Sequence, residues 1–125
     1  MRKNLGIWMI AAAILTGCGK KSAALPGVAE TPKQAASQLE QAFSNADAAR
    51  KQAATAASEA MVRGDYEKAV VSLQVARGGA DVTVEQGLAV HSSSVMLESR
   101  LISAIQAGDK NAERAYQLLK ALKRN

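Results

Sequence analysis

The chain has 125 residues, the length of one small domain, and a formal charge of +5. Hydrophobic residues make up 48%, but alanine inflates that figure, and one Phe, one Trp and two Tyr leave only a thin core of small side chains. Two prolines and few alternating β-branched runs give strands little support, so an all-α fold is expected.

Arg2 and Lys3 open the chain, and Leu5 to Leu15, "LGIWMIAAAIL", follows as an uncharged apolar run. Eleven residues are short for a membrane span, which needs about 20 to cross roughly 30 Å. A positive n-region and a short apolar h-region read as a secretory signal over residues 1–17, removed with Trp8 inside it. Leu15-Thr16-Gly17-Cys18 then resembles the lipobox of bacterial lipoproteins, in which Leu and two small residues precede Cys. The resemblance implies that the Cys18 thiol is acylated, by palmitate or a similar chain, and that the peptide before it is cut away. It also implies an acylated new amino terminus, and two or three acyl chains hold a protein on a membrane where one holds it only marginally.

In that family an Asp after the Cys favours the inner membrane; Gly19 stands here, which implies the outer membrane, facing the periplasm. Lys20 and Lys21 are placed to meet anionic headgroups. With Cys18 lipidated no disulfide can form, so the fold must stand without covalent staples. Loss of residues 1–17 takes two of the sixteen basic residues and leaves 14 against 11 acidic ones, or +3. That balance, with no aromatic residues among the basic ones to stack bases, argues against nucleic acid as a partner.

Residues 18–31 read as the lipidated Cys and a flexible tether, since Gly19, Pro26 and Gly27 break regular structure. Residues 32–125 read as a helical domain of about four helices. Thr31 is placed as N-cap of the first, Pro32 suits its first position, and Gln34 can reach back as in a capping box. From Pro32 to about Arg63 there is no Gly and no further Pro. Ala35, Leu39, Ala42, Phe43, Ala46, Ala49, Ala53, Ala56, Ala57, Ala60 and Met61 make one stripe. A single helix of that length would span roughly 50 Å, long enough in a small domain to invite a bend or a break.

Gly64 suits a left-handed residue after this helix and Asp65 a cap for the next, about Tyr66 to Arg77, with Ala69, Val70, Leu73 and Ala76 on one face. "GGAD" at 78–81 is a break. The third helix, about Val84 to Ala107, opens on a second T-x-x-Q pattern, Thr83 with Gln86. Val84, Leu88, Val95, Leu101, Ile102 and Ile105 mark its expected buried side. Gly108 and Asp109 repeat the order of Gly64 and Asp65, and a fourth helix, about Lys110 to Lys123, sets Ala112, Ala115, Tyr116, Leu119 and Leu122 on one face.

The stretch "AASEAMVRGDYEKAVVSLQVA" resembles one tetratricopeptide helical hairpin. Gly64, Tyr66 and Ala69 match that family's turn Gly, aromatic and small residue; Ala57, Leu73 and Ala76 match packing positions. Ala53 and Ala56 stand where the family has bulky residues, and Asp81 near its usual Pro. The fold class expected is therefore a small helical bundle or tetratricopeptide-like α-hairpin domain.

No catalytic or metal constellation emerges. His91 is the only histidine, with no H-x-x-x-H or H-E-x-x-H spacing, and is expected to be packed or partly exposed. Ser92, Ser93 and Ser94 lack a G-x-S-x-G turn and are expected on a solvated face. "GKKS" lacks the glycines of a phosphate loop, and capping and solvation explain Glu59, Asp65 and Glu67. The alanine stripe has two uses: packing within the domain, or close approach of a helix from a second chain. The reading is a membrane-anchored envelope lipoprotein, non-enzymatic and without cofactor, acting as a protein-interaction scaffold or adaptor. Cys18 is its lipidation site, and Phe43, Tyr66, Leu73 and Tyr116 are its candidate partner contacts. The alternative is a structural lipoprotein forming a homo-oligomer through its Ala-rich helix, similar to the major outer-membrane lipoproteins that form helical trimers.

Overall fold

The run from Pro32 to Arg63 reads as one helix in the sequence and folds as two. In the computed structural model, which describes residues 27–124, α1 spans Pro32–Ala42 and α2 spans Ala48–Arg63. The segment read as a signal peptide, Cys18, residues 19–26 of the tether and Asn125 lie outside the described residues. The interruption is made locally. Phe43 ends α1 at φ −101°, and the Ser44 hydroxyl donates to the Gln41 carbonyl at 2.9 Å. Asp47 starts α2: its carboxylate accepts the Arg50 N–H and pairs with the Arg50 guanidinium. Capping the free N–H groups of a new helix start lowers the cost of the break. The break in turn folds α2 back along α1, where a straight helix would carry its apolar stripe into water.

Three further helices follow: α3 (Tyr66–Arg77), α4 (Val84–Gln106) and α5 (Lys110–Lys123). The described residues are all-α, with one helix more than the sequence suggests. Gly64 (φ 78°) and Gly108 (φ 90°) both take the left-handed conformation. After each, an aspartate closes the turn from both sides. Asp65 N–H reaches back to the Ala60 carbonyl at 2.9 Å, and Asp109 N–H to that of Ala104 at 3.0 Å. Their carboxylates then cap the next helix, Asp65 on Lys68 N–H and Asp109 on the N–H groups of Asn111 and Ala112. Thr83 and Gln86 form a full capping box on α4, each backbone N–H held by the other's side chain at 3.1 Å. On α1 the reach is longer by one residue: Gln34 Oε1 accepts Glu30 N–H, not that of Thr31.

α2 packs between α1 and α3; α4 lies against α1, α3 and α5, and α5 also meets α3. The alanines of α2 make this possible. Ser58, on the line of Ala54 and Met61, donates to the Ala36 carbonyl of α1 at 3.3 Å, a close approach that only small residues allow. Ala53, Ala57 and Ala60 form the adjacent buried line. Of the stripe, Ala49 is exposed and Ala46 and Ala56 half-buried; the rest lies in the core of this chain. A second chain packing on α2 would find little of it at the surface.

Two expectations are corrected. On α4, only Leu101 of the expected buried set is buried. The core side is Gln86, Ala89, Val90, Ser92, Ser93, Met96 and Leu97, so of the serines read as solvated Ser92 and Ser93 are inside and Ser94 is half-buried. Val84, Leu88, Val95 and Ile102 fall on the opposite side, since Ala89, Ser92 and Ser93 let α4 approach α1 closely while Val90, Met96, Leu97 and Leu101 fill the core beside them. The bundle also takes in the end of the stretch read as a tether. Ala29 is buried, and its N–H donates to Ser92 Oγ at 2.7 Å. Ser92 donates in turn to Gln38 Oε1 at 2.7 Å, and Gln38 Nε2 holds the Gly27 carbonyl at 3.0 Å.

Candidate functional site

Of the four residues expected to contact a partner, Phe43 and Leu73 are core. Phe43 is fully buried and Leu73 nearly so, which leaves neither a surface to offer. Tyr66 and Tyr116 are half-buried against the same core, and Lys120 Nζ lies 5.5 Å from the centre of the Tyr116 ring. The helical stripes that place these side chains also bury them, so spacing alone could not separate core from contact.

Tyr66 does reach a cleft. The two Gly-Asp turns lie side by side at one end of the bundle and enclose about 320 Å³ lined by Gly64, Asp65, Tyr66, Glu67, Asp109, Asn111 and Arg114. Arg114 Nε bridges the cleft to Glu67 at 3.2 Å and also hydrogen-bonds Asn111. Acid–base work needs two carboxylates with separated proton affinities. Here Asp65 and Asp109 accept N–H groups as helix caps, and Glu67 is held by Arg114, so the cleft's polar groups serve to join α3 to α5. No cluster of three or more His, Cys, Asp or Glu capable of holding a metal occurs among the described residues. His91 is exposed, beside a groove of about 450 Å³ shared with Arg77, Gly79, Val82, Gly87, Val90 and Ser94. The Asp47 carboxyl is held below the ordinary carboxylate value chiefly by the Arg50 side-chain hydrogen bond.

The surface that sequence reading missed is apolar. Val71 and Val75, one turn apart on α3, are 49% and 55% exposed, and Val62 on α2 is similarly open. Their signal was present: Ala69, Val70, Leu73 and Ala76 already fill the inner face of α3, so Val71 and Val75 must point away. On α4, Val84 and Ile102 are exposed and Leu88, Val95 and Ile105 half-buried. Surface valines scattered singly are ordinary; here the exposed and half-buried apolar residues fall along two separate lines.

No protein-family model matches the chain, and no curated protein or solved structure matches it. No helix among the described residues is long and apolar enough to cross a membrane.

Proposed function

We propose that this chain is a lipid-anchored envelope protein whose helical domain is a non-enzymatic scaffold or adaptor. The α2–α3 hairpin, tetratricopeptide-like in its Gly64, Tyr66 and Ala69, presents Val62, Val71 and Val75 to a partner's apolar helix face or extended segment. The observation that carries the reading is the uncovered pair Val71 and Val75. The core is largely alanine, and each Ala buries little area at about 25 cal/mol per Å². A fold so thinly provided that still leaves valines in water gains by burying them against another molecule. The anchor rests on the Leu15-Thr16-Gly17-Cys18 motif. Gly19 after that motif, in place of the Asp of inner-membrane lipoproteins, supports the outer membrane, facing the periplasm, over the inner membrane.

Two measurements test the two halves separately. Cys18→Ser should release the chain from membranes and lower its mass by the acyl groups; unchanged fractionation and mass would remove the anchor. Capture from solubilised membranes by the wild-type chain and by Val71→Lys/Val75→Lys tests the hairpin. A specific partner lost in the double variant supports the adaptor, and partners captured equally by both would remove the surface.

A further inference from the structure

We propose that residues 27–30 are a releasable strap, which switches the bundle between a short lead entering beside Gln38 and Ser92 and a longer one entering at Thr31. The strap runs antiparallel to α1, with the Gly27 carbonyl on Gln38 Nε2 at 3.0 Å and the Glu30 N–H on Gln34 Oε1 at 2.9 Å. Between them the Ala29 N–H donates to Ser92 Oγ of α4 at 2.7 Å. All three bonds run to side chains; among the described residues the strap makes no backbone–backbone hydrogen bond. Only Ala29 of the four residues is buried, and Gly27, Val28 and Glu30 are exposed. Clefts of about 480 Å³ beside α1 and about 300 Å³ beside α4 flank it. Holding the strap down orders four residues for three hydrogen bonds and one buried methyl group. The balance is close, because ordering one residue costs about as much as one such bond returns.

Both states are physically complete. Thr31 caps α1 by itself, its hydroxyl accepting the Gln34 N–H at 3.2 Å and its carbonyl the Ala35 N–H at 3.1 Å. α1 therefore keeps its start when the strap leaves, and the hinge falls between Glu30 and Thr31. On the floor of the groove, Ser92 donates to Gln38 Oε1 at 2.7 Å whether or not the strap is present. The groups that release uncovers, Ser92 Oγ and Gln38 Nε2, face the opened groove and take water in the strap's place. Neither state holds an orphaned polar group, so the two differ by little and the strap is a two-state element.

The consequence lies at the membrane and rests on the anchor reading; the opening itself does not. Release adds four residues to the lead, up to about 14 Å. It also moves the point of entry from Gln38 to Thr31, about 10 Å along α1. Ser58 of α2 bonds the Ala36 carbonyl of α1 at 3.3 Å, so the start of α1 lies beside the Gly64 end of α2. The docked strap points its upstream end toward the 43–47 loop, whereas the released chain leaves from the opposite end of α1. The switch thus changes both how far the domain stands from its anchor and which end it turns outward. A partner beyond the reach of the short lead is met only by the released state, and binding it draws the strap out.

Hydrogen exchange of the full chain in mild detergent reads the opening. The Ala29 amide should be protected only about 10- to 100-fold and be insensitive to low urea, while the Leu39 amide should exchange only with global unfolding. Ala29→Asp should abolish protection at Glu30 and leave Leu39 protected, because a carboxylate cannot take the place of the buried methyl group. Vesicles of phosphatidylethanolamine and phosphatidylglycerol carrying the full chain read the reach. Energy transfer from a dye on Asn45→Cys to headgroup acceptors should fall when Ala29→Asp is added, and also when Ser92→Ala is added. An Ala29 amide that exchanges only together with Leu39 would overturn the strap. Unchanged energy transfer in variants that have lost Glu30 protection would overturn the switch. Failure of the anchor has its own signature, the absence of every chain from the vesicles, and it would overturn the switch while leaving the exchange pattern in place.

Discussion

Ser92 and Ser93 are adjacent, buried and chemically identical, and replacing each by alanine should shift stability in opposite directions. Ser92 Oγ accepts the Ala29 N–H and donates to Gln38 Oε1, both at 2.7 Å. Ser92→Ala leaves a buried backbone N–H without an acceptor, and a donor or acceptor orphaned in this way costs about 1–3 kcal/mol. For a domain of this size about 2 kcal/mol lowers the thermal midpoint by roughly 10 °C. The loss has a ceiling: once it exceeds the docking energy of residues 27–30, that segment comes away and Ala29 leaves the core. Ser93 Oγ is fully buried and has no hydrogen-bond partner among the described residues. Ser93→Ala removes an unpaired polar group at nearly constant volume, so it should be neutral or stabilise by up to about 1 kcal/mol. Thermal unfolding by circular dichroism reads both signs. Hydrogen exchange adds the location, since protection at Ala29 should fall in Ser92→Ala and persist in Ser93→Ala. Equal destabilisation by the two variants, or an Ala29 amide still protected in Ser92→Ala, would refute the network as the clasp of the N-terminal segment.

Gly64→Ala and Gly108→Ala should each cost about 1–2 kcal/mol, purely from the left-handed backbone, because an added Cβ meets nothing within 4 Å at either site. Urea unfolding of both, with Gly27→Ala as the unstrained control, checks this. Leu39→Ala should cost about 2–5 kcal/mol and Phe43→Ala about 3–5 kcal/mol, since both side chains are fully buried, while Val75→Lys should move stability by less than about 0.5 kcal/mol. Asp47 contributes to acid stability with a definite sign. Its folded pKa lies below the unfolded one, so its contribution is complete above the ordinary carboxylate value and disappears as pH falls through the lowered one. Asp47→Asn should therefore flatten the acid limb of the stability–pH curve while leaving its alkaline limb in place.

Local signals were legible because they are written in neighbouring residues. The turns at Gly64-Asp65 and Gly108-Asp109, and the box of Thr83 and Gln86, are closed by partners at most five residues away. The break at 43–47 had a signal of the same kind in Ser44 and Asp47, masked by an alanine stripe that continues through it. Of the candidate contacts, Tyr66 was legible as a residue at the Gly64 turn and does line a cleft there. Phe43 and Leu73 were not separable from core, since spacing reports which face a residue is on and not what covers that face.

What the sequence determined alone was the helical class, the positions of α3, α4 and α5 with their N-caps, and the start of α1 and end of α2, all consequences of bonding within about one turn of chain. Only tertiary packing decided which side of α4 is the inside. Its periodicity offers two apolar faces, one of Val84, Leu88, Val95 and Ile102 and one in which Ala89, Ser92 and Ser93 lie among Val90, Met96, Leu97 and Leu101. The second is buried, and α1 lies close enough there for Gln38, 54 residues away, to accept the Ser92 hydroxyl proton. Both faces carry large apolar side chains, and the close approach that the small residues allow chose between them.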